Sequence, residues 1–226
     1  EKVDDANYKF VSANLPAELN VNIIYNSYAY KYDWRSDPQI LDERAVPNNE
    51  QALLEARNLW QNLGLLAADL TDGRAKITFL AGGTGEMVPT ISLSEANFVR
   101  VDMYRADKDG LKMVTPKGEE SPVNVTLSGA NDRAKRIAEA NYSYSRILDD
   151  TFSTYPLKGA DIAWAELQQG LGYIAHPGAT QVTVRKASLA YYESGQPQEF
   201  LQPVYVFEGD GGFIAYVTAV SQDYSQ

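Results

Sequence analysis

The sequence predicts an α+β protein in which antiparallel sheets are each covered by a helix, arranged as two repeated β-α-β-β-β units. Three observations carry this. Several short segments alternate apolar and polar residues with period two. Two other segments place apolar residues at helical spacing and end at glycine. The strand segments also follow one another across turn-rich connections instead of alternating with helices.

Residues 19–34 come first, with Val21, Ile23 and Ile24 followed by Tyr28, Tyr30 and Tyr32 in strict alternation. Such spacing of β-branched and aromatic residues predicts one or two strands. A loop with Pro38 and Pro47 leads to a helix that Asn48 or Asn49 can cap. Ala52, Ala56, Leu59, Trp60 and Leu63 form its apolar stripe, and Gly64 sits where a left-handed C-terminal cap belongs. Strands are predicted over 75–81, 98–105 and 122–128, punctuated by Gly82-Gly83-Thr84-Gly85 and by residues 107–110. Residues 130–150 read two ways: 134–140 as a helical turn, and 141–147, with Tyr142 and Tyr144, as a strand. The second helix lies within 154–175, where Ala160, Ala163, Trp164 and Leu167 share a face and Gly170 is the stop. Strands follow over 181–192, 200–208 and 213–220, with turns at Gly195-Gln196-Pro197 and Asp210-Gly211-Gly212. Pro203 marks the start of the middle one as an edge or a bulge. Residues 1–6 and 222–226 are polar ends that read as frayed.

The two halves share an order. Each offers a Tyr-x-Tyr strand (28–30 and 142–144), a helix with an inward tryptophan (Trp60, Trp164), a Gly-Leu stop and three strands. This predicts an internal repeat, with an N-terminal unit over 1–130 and a C-terminal unit over 131–226.

Composition narrows the function. With 226 residues, 44% hydrophobic and 22% charged, the chain has enough apolar material for a core without disulfides or metals. A formal net charge of -10 repels phosphate backbones and argues against nucleic-acid binding. The chain has no cysteine, which removes thiol chemistry and zinc–thiolate sites and fits either the cytosol or a bacterial envelope compartment. No apolar run is long enough to span a membrane. The chain starts at Glu1 rather than Met, and the expectation is a signal or membrane anchor upstream of it.

The residues that carry chemistry are few, and no catalytic residue, metal ligand set or cofactor is predicted. His176 is the only histidine and sits in His-Pro-Gly, a turn-like setting. The acidic loops at 107–110 and 208–210 lack EF-hand spacing. Gly82-Gly83-Thr84-Gly85 lacks the Gly-Lys-Ser/Thr of a phosphate loop and is followed by Glu86. Paired carboxylates among 30 acidic residues keep a glycan hydrolase open as an alternative. A carbohydrate-binding module built on exposed tyrosines is the other. Candidate ligand-binding residues are Tyr30, Tyr32 and Trp34, because Trp60 and Trp164 lie on apolar helix stripes and read as core. Asn124-Val-Thr126 and Asn141-Tyr-Ser143 are sequons by pattern.

The stretch TYPLKGADIAWAELQQGLGYIA, followed by VTVRKASLAYYESGQPQEFLQPVYVFEGDGGFIAYVTAV, resembles bacterial envelope proteins without an assigned activity. More distantly it resembles the extracytoplasmic domains of the YycH/YycI type, which regulate a sensor kinase, and PepSY-type modules. The resemblance covers about residues 154–220. It implies a secreted or membrane-anchored bacterial domain that acts by contacting another envelope protein, with no catalytic residues to carry over.

Overall fold

Alternating residues build two separate sheets in the computed structural model, which describes residues 1–83, 85–196 and 198–221. Thr84, Pro197 and the polar end 222–226 lie outside the described residues. The chain divides into two compact units. Residues 1–105 and 121–145 form the first, and residues 106–120 and 146–226 form the second.

The first unit holds an eight-stranded sheet. Its strands are β1 (Asn7–Val11), β2 (Ala17–Asn22), β3 (Ser27–Tyr32), β4 (Ala75–Ala81), β5 (Val88–Thr90), β6 (Phe98–Met103), β8 (Val123–Ser128) and β9 (Ile137–Tyr142), in the spatial order β1-β2-β3-β9-β8-β6-β4-β5. All neighbours are antiparallel. Helix α1 (Asn49–Asn62) packs on β4, β6 and β8. It starts at a capping box: the Asn48 side chain accepts from the Gln51 amide, and the Gln51 side chain accepts from the Asn48 amide. It stops as the sequence predicts. Gly64 takes φ +70°, its amide donates to Gln61, and the Leu65 amide donates to the Trp60 carbonyl at 2.8 Å. Ala52, Ala56 and Trp60 meet Val99, Val101, Met103, Val123, Val125 and Leu127 in the main core. A short helix, α2 (Ala68–Thr71), adds the buried Leu70.

The second unit holds β7 (Lys112–Val114), β10 (Tyr173–His176), β11 (Val184–Tyr192), β12 (Gln202–Gly209) and β13 (Ile214–Thr218), in the order β10-β13-β12-β11-β7. Only the β11–β7 pair is parallel. Helix α3 (Ala160–Gln168) covers one face through Ala163 and Leu167 against Phe207 and Val217. Gly170, at φ +79°, ends it with the same pair of capping bonds as in α1.

The α+β class holds, with each sheet carrying a helix. The repeat does not. Tyr142, expected to open the second copy, is the direct cross-strand partner of Tyr28 in a single sheet. The strand beside the last strand of the sheet precedes the helix in the first unit (β3) and follows it in the second (β10). Trp60 is 2% exposed and Trp164 37% exposed. The boundary near residue 130 falls inside the first unit, because β8 and β9 on either side of it pair with each other. Residues 137–142 form a strand, so the helical reading of 134–140 is also replaced. β12 lies in the middle of its sheet. Pro203 is tolerated there because the edge of it that lacks a donor faces Ala219, just past the end of β13, whose carbonyl accepts from the Lys158 amide at 2.9 Å instead. The first residues are paired instead of frayed: Glu1 and Lys9 exchange two hydrogen bonds of 2.7 and 2.8 Å along the outer edge of β1.

Candidate binding face

Cross-strand partners share a face, so the register sorts every side chain of the first sheet. One row on the α1 side runs Ile77, Val101, Val125, Ala140, Tyr30, Leu19, Phe10. The next runs Val123, Tyr142, Tyr28, Val21, Tyr8. Across β1, β2, β3 and β9 this face carries no charged residue. The reverse face carries Lys9, Glu18, Lys31 and Glu139, with Lys9 and Glu18 paired at 2.6 Å. Such a separation is the pattern of a sheet built to bury one side.

Helix α1 buries only part of that side. Its stripe lies over β4, β6 and β8. The core built on it takes in Tyr28 and Tyr30, while Tyr8, Phe10, Leu19 and Val21 stand outside both clusters of the first unit. Phe10 is 54% exposed, and Tyr8, Leu19 and Val21 are half-buried. At the adjoining hairpin tip Ile23, Ile24 and Tyr25 are exposed as well. The result is an apolar, tyrosine-rich surface at the β1 end of the sheet. Burial alone pushes the Tyr30 phenol above its ordinary range; Tyr142 is pushed up to about 12, first by burial, with Arg105 opposing and Asp69 and Tyr28 adding.

Of the three residues singled out from the sequence, only Tyr30 borders this surface. Tyr32 is 1% exposed and Trp34 3% exposed. Both are core, which corrects the exposed role expected of Trp34. The segment after β3 turns back over the end of the sheet and packs the Trp34 ring against Phe98, 5.4 Å between centroids, with Ile40 and Leu80 around it. The Tyr32 hydroxyl donates to Asp37 at 2.7 Å, and Asp37 pairs with Lys135 at 2.7 Å. The Lys135 bond, then that of Tyr32, holds the Asp37 carboxyl below its usual range.

Elsewhere polar groups serve the fold. Asp102, 2% exposed, accepts from Nη2 and Nε of Arg100 at 2.9 and 3.0 Å and from the Ser121 amide at 2.8 Å. Asn124 is buried and donates to the Ser121 carbonyl, and Asn141 donates to Asn124 at 3.1 Å, which leaves the Asn124 amide no room for a glycan. A shallow depression of about 420 Å³ lies beside α1, lined by Ala45, Val46, Pro47, Gln51, Leu54, Glu55 and Arg136. Arg136 is spent on internal acceptors there: Glu55 at 2.8 and 3.0 Å, and the carbonyls of Ser128 and Ala45. His176 ends the exposed strand β10 instead of standing in a turn. Among the described residues no group of three or more His, Asp or Glu side chains is placed to hold a metal ion, and no helix is long and apolar enough to cross a membrane.

Sequence reading missed Tyr8, Phe10 and Leu19 as parts of a surface. A signal was present in the alternation of Asn7, Tyr8, Lys9 and Phe10, which matches that of residues 28–32.

No family model matches the chain, and no curated protein matches it. Two solved structures are similar in shape. One is an uncharacterized protein from Eubacterium rectale, with 12% identity and TM-score 0.45, covering 95% of this chain and 74% of that one. The other is the C-terminal domain of Bacillus megaterium YpeB, with 10% identity and TM-score 0.34, covering 97% of this chain and 87% of that one.

Proposed function

We propose that this protein is a non-enzymatic extracytoplasmic module that binds or regulates another envelope protein, and that the β1 end of the larger sheet is its contact surface. The observation that carries the reading is the charge-free face of β1–β3, whose outer residues Tyr8, Phe10, Leu19 and Val21 lie beyond the reach of α1. Apolar surface of this kind, rimmed by polar residues, marks interaction sites in soluble domains. The resemblance of residues 154–220 to envelope regulatory domains supports the same class and the same location.

The test is capture from the native envelope with three forms of the purified chain: unaltered, Phe10→Lys and Val11→Lys. Residues 10 and 11 are neighbours on one strand that face opposite sides of the sheet. The expected result is a partner retained by the unaltered and Val11→Lys chains and lost with Phe10→Lys. Equal retention by all three defeats the assignment of the surface. A full-length product that fractionates with the cytosol defeats the location.

A further inference from the structure

We infer that the uncovered end of the sheet receives a single amphipathic helix with a basic polar face, supplied by the partner. The inference rests on reading this face as the contact surface. Its size excludes a broad docking of two domains. The two uncovered strands, β1 and β2, about 4.8 Å apart and about six residues long, span roughly 10 by 20 Å, or about 200 Å². A stable interface between two folded copies needs about 800 Å² from each. A helix is about 10 Å across and rises about 1.5 Å per residue, so one of about four turns fills the patch.

The layer already in place points the same way. On this very face α1 lies over β4, β6 and β8 with the stripe Ala52, Ala56 and Trp60, and the neighbouring strands β9, β3, β2 and β1 continue the same apolar rows sideways. A second helix beside the first completes a two-layer α/β stack of ordinary kind. Pairing of an extended segment onto β1 is blocked in part, because Glu1 occupies the outer edge of that strand at Lys9 and Lys2 bridges Tyr8. Charge sets the polar face of the helix. The face offers no charge of its own and the chain carries a net -10; at the entry to β1 Asp5 is paired with Lys2 at 2.7 Å, while Asp4, bonded to Asn7, has no cation paired with it among the described residues. The excess of negative charge favours a cationic helix in encounter, and Asp4 gives that helix one partner at the β1 end.

The experiment uses three synthetic peptides of equal length: a Leu/Ala-striped helix with Lys on its polar face, the same helix with Glu there, and an alternating Val/Lys peptide that favours extended structure. Binding is followed by calorimetry, peptide helicity by circular dichroism, and the site by amide shifts. The Lys helix is expected to gain helicity on binding and to shift Tyr8, Phe10, Leu19 and Val21. Phe10→Lys is expected to weaken it at least tenfold and Val11→Lys to leave it unchanged. Should Phe10→Lys lose its cooperative melt, Phe10→Ser takes its place. Preference for the Glu helix or the extended peptide overturns the inference, as does silence from all three. A concentration-dependent dimer abolished by Phe10→Lys also overturns it, because a second copy then fills the face. If envelope capture depends on Phe10 while the Lys helix fails to bind, the contact surface stands and the helix falls. If the helix binds while capture is indifferent to Phe10, the helix stands and the proposed partner contact falls.

Discussion

Trp60 and Trp164 hold matching places in two helix sequences, yet truncating each to alanine should cost very different amounts. Trp60 is 2% exposed, lies 5.4 Å from the Tyr142 ring and shares a core with Val99, Val101 and Val125. Removing about 200 Å² of buried aromatic surface is worth ~5 kcal/mol at ~25 cal/mol per Å². Measured truncations of buried Phe and Trp fall at about 3–5 kcal/mol, so Trp60→Ala belongs in that range. Trp164 is 37% exposed and leans on Phe207 at 5.6 Å from the rim of α3. Its neighbours can relax into solvent, and Trp164→Ala should cost about 1–2 kcal/mol. Trp60→Phe sharpens the test. Among the described residues the Trp60 Nε1 is buried with no hydrogen-bond partner, and phenylalanine removes that unmet donor while keeping most of the apolar volume. It should cost less than half as much as Trp60→Ala. Urea unfolding followed by circular dichroism and by fluorescence measures all three. Trp34 reports the first unit by fluorescence in the Trp60 variants, and circular dichroism follows the second unit in Trp164→Ala, which removes that unit's one tryptophan. Equal costs for the two alanine variants would refute the packing argument and reopen the equivalence of the two helices.

Three further outcomes follow from the same physics. Lys158 and Glu166 form an ion pair at 7% and 9% exposure, so Glu166→Gln, which strands a buried ammonium, should cost the second unit about 3–5 kcal/mol. The double change Lys158→Met with Glu166→Leu should recover most of it, and a double variant no better than the single one would contradict this. The phenols of Tyr32, Tyr142 and Tyr144 are raised chiefly by burial, so the fold favours their neutral forms. That stability is full below about pH 10 and drains as pH climbs toward the folded values. Asp37, lowered by Lys135, contributes above about pH 4 and is lost in more acid solution. The melting temperature should therefore plateau between about pH 5 and 9 and fall on the alkaline side together with tyrosinate absorbance. A flat profile to pH 12 would rule this out. A Cβ on Gly129 would lie 2.3 Å from the Glu43 carbonyl oxygen, so Gly129→Ala should destabilise by at least ~2 kcal/mol, whereas Gly83→Ala, with nothing within 4 Å, should stay within ~0.5 kcal/mol by thermal melting.

What was legible in the sequence is what local chemistry decides. Asn48, one of the two asparagines marked for it, caps α1, Gly64 and Gly170 stop their helices, and strands 75–81 and 123–128 lie where alternation puts them. What was illegible depends on residues far apart in the chain. Trp34 sits in a polar stretch between Asp33 and Arg35, and only the return of the chain over the sheet brings it to Phe98. Trp164 is on an apolar stripe, but α3 rests on β13 through Ala163 and Leu167, and the stripe is wider than the surface beneath it. β9 was obscured because Ala138 and Ala140 satisfy helix and strand patterns equally, and the choice falls to Val125 and Tyr30 on either side. The binding face was half legible. Tyr30 was marked, but its neighbours come from strands whose order alternation cannot supply.

The same non-local logic explains why a division into sequential halves fails. The chain leaves the first unit after β6, adds β7 to the edge of the second sheet beside β11, and comes back to form β8 and β9. A cut at residue 130 would take β9 from between β3 and β8 and separate β1–β3, with the whole proposed contact surface, from the strands that hold α1. The return is fixed by buried polar bonds. Ser121, the first residue back, gives its amide to Asp102 and its hydroxyl to the Met103 carbonyl, while Arg105, the last residue out, holds the Ser145 carbonyl and Asp69. A carboxylate as buried as Asp102 is tolerable only when fully satisfied. Arg100 and Ser121 satisfy it at one register of β6 against β8, and a one-residue slip would expose it and turn every apolar row of the sheet to the wrong side. The polar network therefore does for the inserted loop what capping does for the helices. It tells the chain where to resume, and the uninterrupted apolar rows that reach Phe10 depend on that resumption.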